Sequence, residues 1–138
     1  MGKFVAKRTR DVNVSALDFF TLGHIVMGYI TWIISFIIIW FTPYGDIQCL
    51  SMVSTIMVGI VWEYIENFLL RNKTSIKFEG RKDSLENSLT DIIAVVGGGS
   101  LAWFFSYFPL VVYALVSIDL ILGLLVLMKR LSKMTKKR

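Results

Sequence analysis

The chain has one cysteine, two prolines and one histidine in 138 residues, and only 18% of its residues are charged. A lone Cys49 cannot close an internal disulfide, and no CxxC or Cys/His spacing builds structural zinc, so a secreted disulfide scaffold is excluded. The shortage of charge excludes a disordered chain. With 55% apolar residues and a mean hydropathy of +0.64 it also excludes an ordinary water-soluble enzyme. The net charge of +5 does not mark a nucleic-acid binder, because the basic residues flank apolar blocks instead of forming a stripe among aromatics. What is present is long hydrophobic runs, and they predict a multi-pass membrane protein.

A helix needs about 20 mostly apolar residues to cross the hydrocarbon core. Four segments qualify, about 16–42, 47–70, 84–108 and 110–128, so the expected fold is all-α: one membrane domain, 1–138, of four transmembrane helices. Thr42-Pro43-Tyr44-Gly45 closes the first span with helix breakers. The apolar stretch from Ile92 to Met128 is too long for one crossing at the helical rise, and Ser106-Tyr107-Phe108-Pro109 is its natural hairpin.

All basic residues lie in three places: before the first span (Lys3, Lys7, Arg8, Arg10), in the 71–83 loop (Arg71, Lys73, Lys77, Arg81, Lys82) and in the 129–138 tail (Lys129, Arg130, Lys133, Lys136, Lys137, Arg138). The other two loops have none, and the positive-inside rule then predicts both termini and the 71–83 loop in the cytoplasm. The first apolar run is too long for a signal peptide and lacks a small-x-small cleavage site, so it is expected to remain as a span. Asn13-Val14-Ser15 and Asn72-Lys73-Thr74 match the glycosylation pattern but fall on that same side. The basic tail is expected to anchor the topology and attract anionic lipid.

Ionisable residues inside spans are costly at roughly 2.5–3.5 kcal/mol each on insertion scales, so each needs a reason. The first span carries His24, the second Glu63, Glu66 and Asn67, the third Asp83, Glu86, Asn87 and Asp91, and the fourth Asp119. Counted from the cytoplasmic ends, His24, Glu63, Asp91 and Asp119 all lie roughly 10–13 Å deep. Glu63, Glu66 and Asn67 are spaced i, i+3, i+4, and Asp83, Asn87 and Asp91 are spaced i, i+4, i+8, so each set lines one helical face. Thr21, His24 and Gly28 share a face of the first helix, where the glycine leaves room for a neighbour. These stripes are expected to face one another.

Carboxylates crowded in this way cannot all stay ionised unaided. Some are protonated, or a cation sits among them, or Arg71 and Arg81 fold back from the loop. Oxygen-rich ligation with one imidazole suits a divalent metal: Mg²⁺, Mn²⁺, Fe²⁺ or Zn²⁺. The candidate ligands are His24, Glu63, Glu66, Asp83, Asn87 and Asp91, with His24, Glu63 and Asp91 as candidate catalytic groups. Each has a structural alternative: a buried imidazole bonded to a carboxylate for His24, interhelical glue for Glu63, Glu66 and Asn67, and helix-dipole compensation for Asp83 and Glu86. Asp119 either joins the cluster, pairs with His24, or does neither. Asp18 reads as a membrane-edge residue, Gly97-Gly98-Gly99 as close helix packing or local flexibility, and the tryptophans Trp32, Trp40, Trp62 and Trp103 mostly as lipid-facing or interfacial. Cys49 has no assigned role.

Gly23-His24 with Gly28, Trp62-Glu63-x-x-Glu66-Asn67 and Asp83-Ser84-x-x-Asn87-Ser88-x-x-Asp91 together resemble an uncharacterised family of small bacterial integral membrane proteins, and more distantly the VanZ-type group. The resemblance covers about 20–100, and Lys82 stands where that family carries glycine. It implies the same topology and polar cluster, and brings no activity with it.

Three functions are open from the sequence. One is a divalent-metal site acting on a lipid or polyprenyl headgroup from the cytoplasmic leaflet, with a metal-bound water as nucleophile. Another is a non-catalytic accessory subunit of a larger membrane complex, its partners being membrane lipids and other subunits. The third is a proton- or cation-translocating protein, alone or as a homo-oligomer, for which the outer half offers no titratable continuation. No nucleic-acid partner is expected.

Overall fold

The computed structural model describes residues 4–6, 11–12, 15–43, 45–70 and 83–136. The four expected spans are four helices: α1 (Phe19–Trp40), α2 (Ile47–Ile65, continued by a π-helical turn over Glu66–Leu70), α3 (Leu85–Phe105) and α4 (Leu110–Lys136). Each is long and apolar enough to cross a membrane, as a multi-pass membrane protein requires. Among the described residues there is no strand, only an isolated bridge between Val5 and Leu17. Most of the basic 71–83 loop, Lys3, Lys7, Arg8, Arg10, Lys137 and Arg138, and both glycosylation-pattern asparagines lie outside the described residues.

Helix ends follow from side chains that satisfy the orphan amides of a first turn. The carboxylate of Asp18 accepts from the amides of Phe20 (2.8 Å) and Thr21 (3.2 Å), while the Thr21 hydroxyl accepts from the Asp18 amide. This reciprocal box starts α1 at Phe19, later than the hydrophobic run alone suggested. Asp46 caps α2 through the amides of Gln48 and Cys49, and Ser84 caps α3 through the amide of Asn87. The carbonyl of Pro109 accepts from Tyr113 and opens α4 after the expected hairpin. α4 continues past 128 to Lys136, because its basic residues are good helix formers.

The helices alternate in direction, so that the beginnings of α1 and α3 lie beside the ends of α2 and α4. α1 is central and packs most extensively on α3, then on α2, and less on α4. Contact between α1 and α3 is backbone to backbone: a Cβ at Gly28 would overlap the Val95 carbonyl, and one at Gly98 would overlap the Ile25 carbonyl. Gly99 gives room to Thr55 and Met52 of α2, whereas Gly97 faces open space. The glycine triplet is therefore a packing device at two of its three positions. Beyond this crossing, Tyr29, Trp32 and Ala102 form a fully buried core. Trp32 thus departs from the lipid-facing expectation: only 1% of it is exposed, because the small Ala102 leaves space for its ring. Trp40 is exposed as expected, and the Trp103 indole donates to the Gln48 amide oxygen at 2.9 Å, tying α3 to α2 near the far end.

This geometry separates the glycines by role. Gly28→Ala and Gly98→Ala are expected to destabilise the bundle by about 1–3 kcal/mol or more, the range for overpacking a filled interior. Gly97→Ala should be neutral or slightly stabilising. Thermal unfolding of the three variants in one mild detergent checks the difference.

Candidate metal centre

The close approach at Gly28 and Gly98 sets the polar stripes of α1 and α3 against each other, one to two turns nearer the start of both helices. Thr21 donates to Asp91 Oδ1 at 2.9 Å. His24, one turn on from Phe20, has its Nδ1 3.0 Å from the Phe20 carbonyl and 3.5 Å from Asp91 Oδ1. The last turns of α2 complete the ring: His24 Nε2 lies 3.4 Å from Glu63 Oε1 and 3.9 Å from Glu66 Oε2. Three helices therefore converge on one imidazole. The four side chains are buried, with Asp91 fully so and His24, Glu63 and Glu66 5–6% exposed.

The π-helical turn matters to this arrangement. It begins at Glu66, so the widened turn carries Glu66 and Asn67 just after Glu63. Such turns are rare and concentrate at functional positions. Asn67 uses the placement fully: its Nδ2 lies 3.0 Å from the Glu63 carbonyl, 3.4 Å from Glu63 Oε2, 3.4 Å from Asp83 Oδ2 and 3.3 Å from Ser88 Oγ. Its Oδ1 accepts from the Asp83 amide at 2.9 Å. Asn67 thus joins the end of α2 to the start of α3.

Five of the six expected ligands fall into two overlapping groups, His24–Glu63–Asp91 and Glu63–Glu66–Asp83. In each group one ligand atom per residue lies within 4.8 Å of the others, and Glu63 belongs to both. Asn87 is also fully buried, but its Nδ2 donates at 3.1 Å to the Ser15 carbonyl, so its amide nitrogen holds the segment before α1. Asp119 neither joins the cluster nor pairs with His24: it sits on the exposed face of α4. Ser15 enters the sequence only through its glycosylation pattern and Ser88 only as a member of the third motif, and neither position signals the contact it makes. Thr21 was recognised as sharing the His24 face, but its carboxylate partner had no local signal.

Electrostatics constrain what this centre can do. A neutral imidazole whose Nδ1–H donates to the Phe20 carbonyl has an unprotonated Nε2. A proton on Nε2, or a cation between the groups, would serve the Glu63 and Glu66 oxygens that this nitrogen faces. Ligands about 2.0–2.2 Å from a tetrahedral metal stand about 3.3–3.6 Å apart, so the spacing of Nε2 from Glu63 Oε1 matches shared coordination. The Nδ1 contact to a backbone carbonyl is also the outer bond that commonly orients a metal-ligating histidine. Comparison with protein-family models, with curated proteins and with solved structures returned no match.

Asn67 gives this geometry a test that requires no metal. Asn67→Ala removes the donor shared by Glu63, Asp83 and Ser88 and should cost about 1–3 kcal/mol, the range for leaving buried polar groups without a partner. Asn67→Asp keeps the shape but adds a fourth carboxylate beside Glu63, Glu66 and Asp83, and should be at least as damaging. Unfolding of both variants in detergent measures the effect.

Proposed function

We propose that the cluster binds one divalent cation and that the protein acts with it on a phosphorylated lipid or polyprenyl headgroup reached from the cytoplasmic leaflet. The observation that carries this reading is the facing of His24 Nε2 toward Glu63 and Glu66 oxygens at 3.4 and 3.9 Å. The proposed ligands come from the two groups that share Glu63: His24, Glu63 and Asp91 in one, and Glu63, Glu66 and Asp83 in the other. A bound cation supplies an acidified water and charge neutralisation at a phosphate. Asp91, which accepts a hydrogen bond from the Thr21 hydroxyl, would take up a proton, and Glu63, common to both groups, would serve as ligand or proton acceptor. The basic residues of 71–82 would draw the anionic headgroup toward the site.

A structural ion in a non-catalytic subunit is the second reading, and the near-complete burial of the four central side chains favours it. Translocation is less well supported, because Tyr29, Trp32, Val95 and Ala102 fill the bundle interior beyond the cluster. The orientation, with both termini cytoplasmic, rests on the segregation of basic residues.

Two measurements bear on these proposals. Purified protein should retain about one divalent ion per chain, and Glu63→Gln, Glu66→Gln and Asp91→Asn should each weaken retention on the order of 10–100-fold. Retention unchanged in all three variants would remove the metal site. If the ion raises thermal stability but purified protein releases no phosphate from lipid phosphate esters, the structural-ion reading is selected. Orientation is read from native Cys49, which is exposed near the start of α2, at the opposite end from the cluster. A membrane-impermeant maleimide should label it in intact cells from outside, and labelling only after lysis would reverse the topology.

A further inference from the structure

α4 differs from the other three helices in how little of it is covered. Ser117, which takes a 2.6 Å hydrogen bond with the Tyr29 hydroxyl, is the one buried residue among its described side chains. Two positions further on, Asp119 is exposed. It lies nine residues after Leu110 and ten before Lys129, so about 14 and 15 Å from the two ends of the apolar stretch. That is the middle of a hydrocarbon layer about 30 Å thick. Lysine or arginine can reach for the interface from such depth, but an aspartate side chain is too short.

The surroundings of Asp119 are those of an interface between helices. Leu115 (60% exposed), Leu122 (56%) and Val126 (54%) lie along the same side of α4. Gly123, one turn beyond the aspartate, has nothing within 4 Å of where a Cβ would stand. A small residue beside a polar one lets a neighbouring backbone come close enough for the polar group to be bonded. The chain cannot match this carboxylate with a second copy of itself by charge. None of its lysines or arginines falls within α1, α2 or α3 or before Lys129 in α4, and its one histidine is buried in the cluster.

We infer that the Asp119–Gly123 face of α4 receives a transmembrane helix of a different polypeptide, one that carries a lysine or arginine at mid-bilayer depth. The match is of charge at a shared depth, with Gly123 setting the closeness of approach. The inference is independent of the metal centre, which lies among α1, α2 and α3.

The test uses the full chain, fluorescently labelled and reconstituted in phosphatidylcholine vesicles with synthetic single-span Leu-Ala peptides bearing a central Lys or a central Leu. Energy transfer should show the Lys peptide binding roughly tenfold more tightly than the Leu peptide. Asp119→Leu should erase that preference, Gly123→Leu should weaken binding of the Lys peptide, and Glu63→Gln should leave both unchanged. Because Asp119 and Gly123 are exposed, these variants should keep the parent's thermal unfolding, which verifies folding independently. Equal binding of the two peptides, or no binding of either, would overturn the inference. So would Asp119-dependent energy transfer between differently labelled copies of the chain, which would make a second copy the occupant.

Discussion

The backbones of α1 and α3 touch at Gly28 and Gly98, and the remaining arrangement depends on that contact. In lipid no hydrophobic force draws helices together, since acyl chains are as apolar as leucine; close packing and interhelical hydrogen bonds must do so. Two glycines on opposite helices let the main chains meet, and the side chains on either side are then fixed in azimuth. Toward the beginnings of the helices the facing residues are Thr21, His24 and Asp91, and toward the far end they are Trp32 and Ala102. One crossing therefore sorts the interior into a polar part and an apolar part. α2 fits against both because Gly59 and Gly99 leave room for Val95, Thr55 and Met52.

Within the polar part, the chemistry follows from imbalance. Glu63, Glu66 and Asp91 bring three carboxyl groups to a single imidazole, with Asp83 beside Glu63 and Glu66, and α1, α2 and α3 contain no lysine or arginine. Hydrogen-bond donors are arranged around these carboxylates. Asn67 donates toward two carboxylates, Thr21 donates to a third, and the Phe20 carbonyl orients the imidazole. Donors of this kind lower the cost of bringing carboxylates close together.

Much of this arrangement was legible in the sequence because it depends on local periodicity. Hydrophobic length and the Thr42–Gly45 and Ser106–Pro109 breakers defined the spans, and the i, i+3, i+4 spacing in α2 and the i, i+4, i+8 spacing in α3 defined the stripes. Periodicity tells which residues share a face, but not which neighbour that face meets. Asp119 shows the difference: it lies in sequence within the fourth apolar run, yet its azimuth turns it away from the bundle. Asn87 belongs to the right stripe, but its amide reaches Ser15, a contact across 72 residues with no local signature. Trp32 followed the general preference of tryptophan for membrane interfaces until Ala102 opened a space for it. The π-helical turn at Glu66 likewise has no compositional mark, since its sequence reads as ordinary helix.

The position of the cluster within the bundle also bears on how it is reached. His24 is only five residues into α1, about 8 Å along the axis, once Asp18 is recognised as the cap. The same box that begins α1 presents Thr21 to Asp91, so the helix start and the site share a residue. On α3, Ser84 caps the helix through the Asn87 amide, while the Asn87 side chain holds the Ser15 carbonyl over the neighbouring helix start. On α2, Asn67 binds the Asp83 amide immediately before α3 begins. Caps and site thus form one hydrogen-bonded layer at one end of the bundle. Access to the imidazole from that end would require rearranging the layer, whereas the opposite direction is filled by Tyr29 and Trp32. A centre built in this way shares its buried polar groups with the interactions that start its helices.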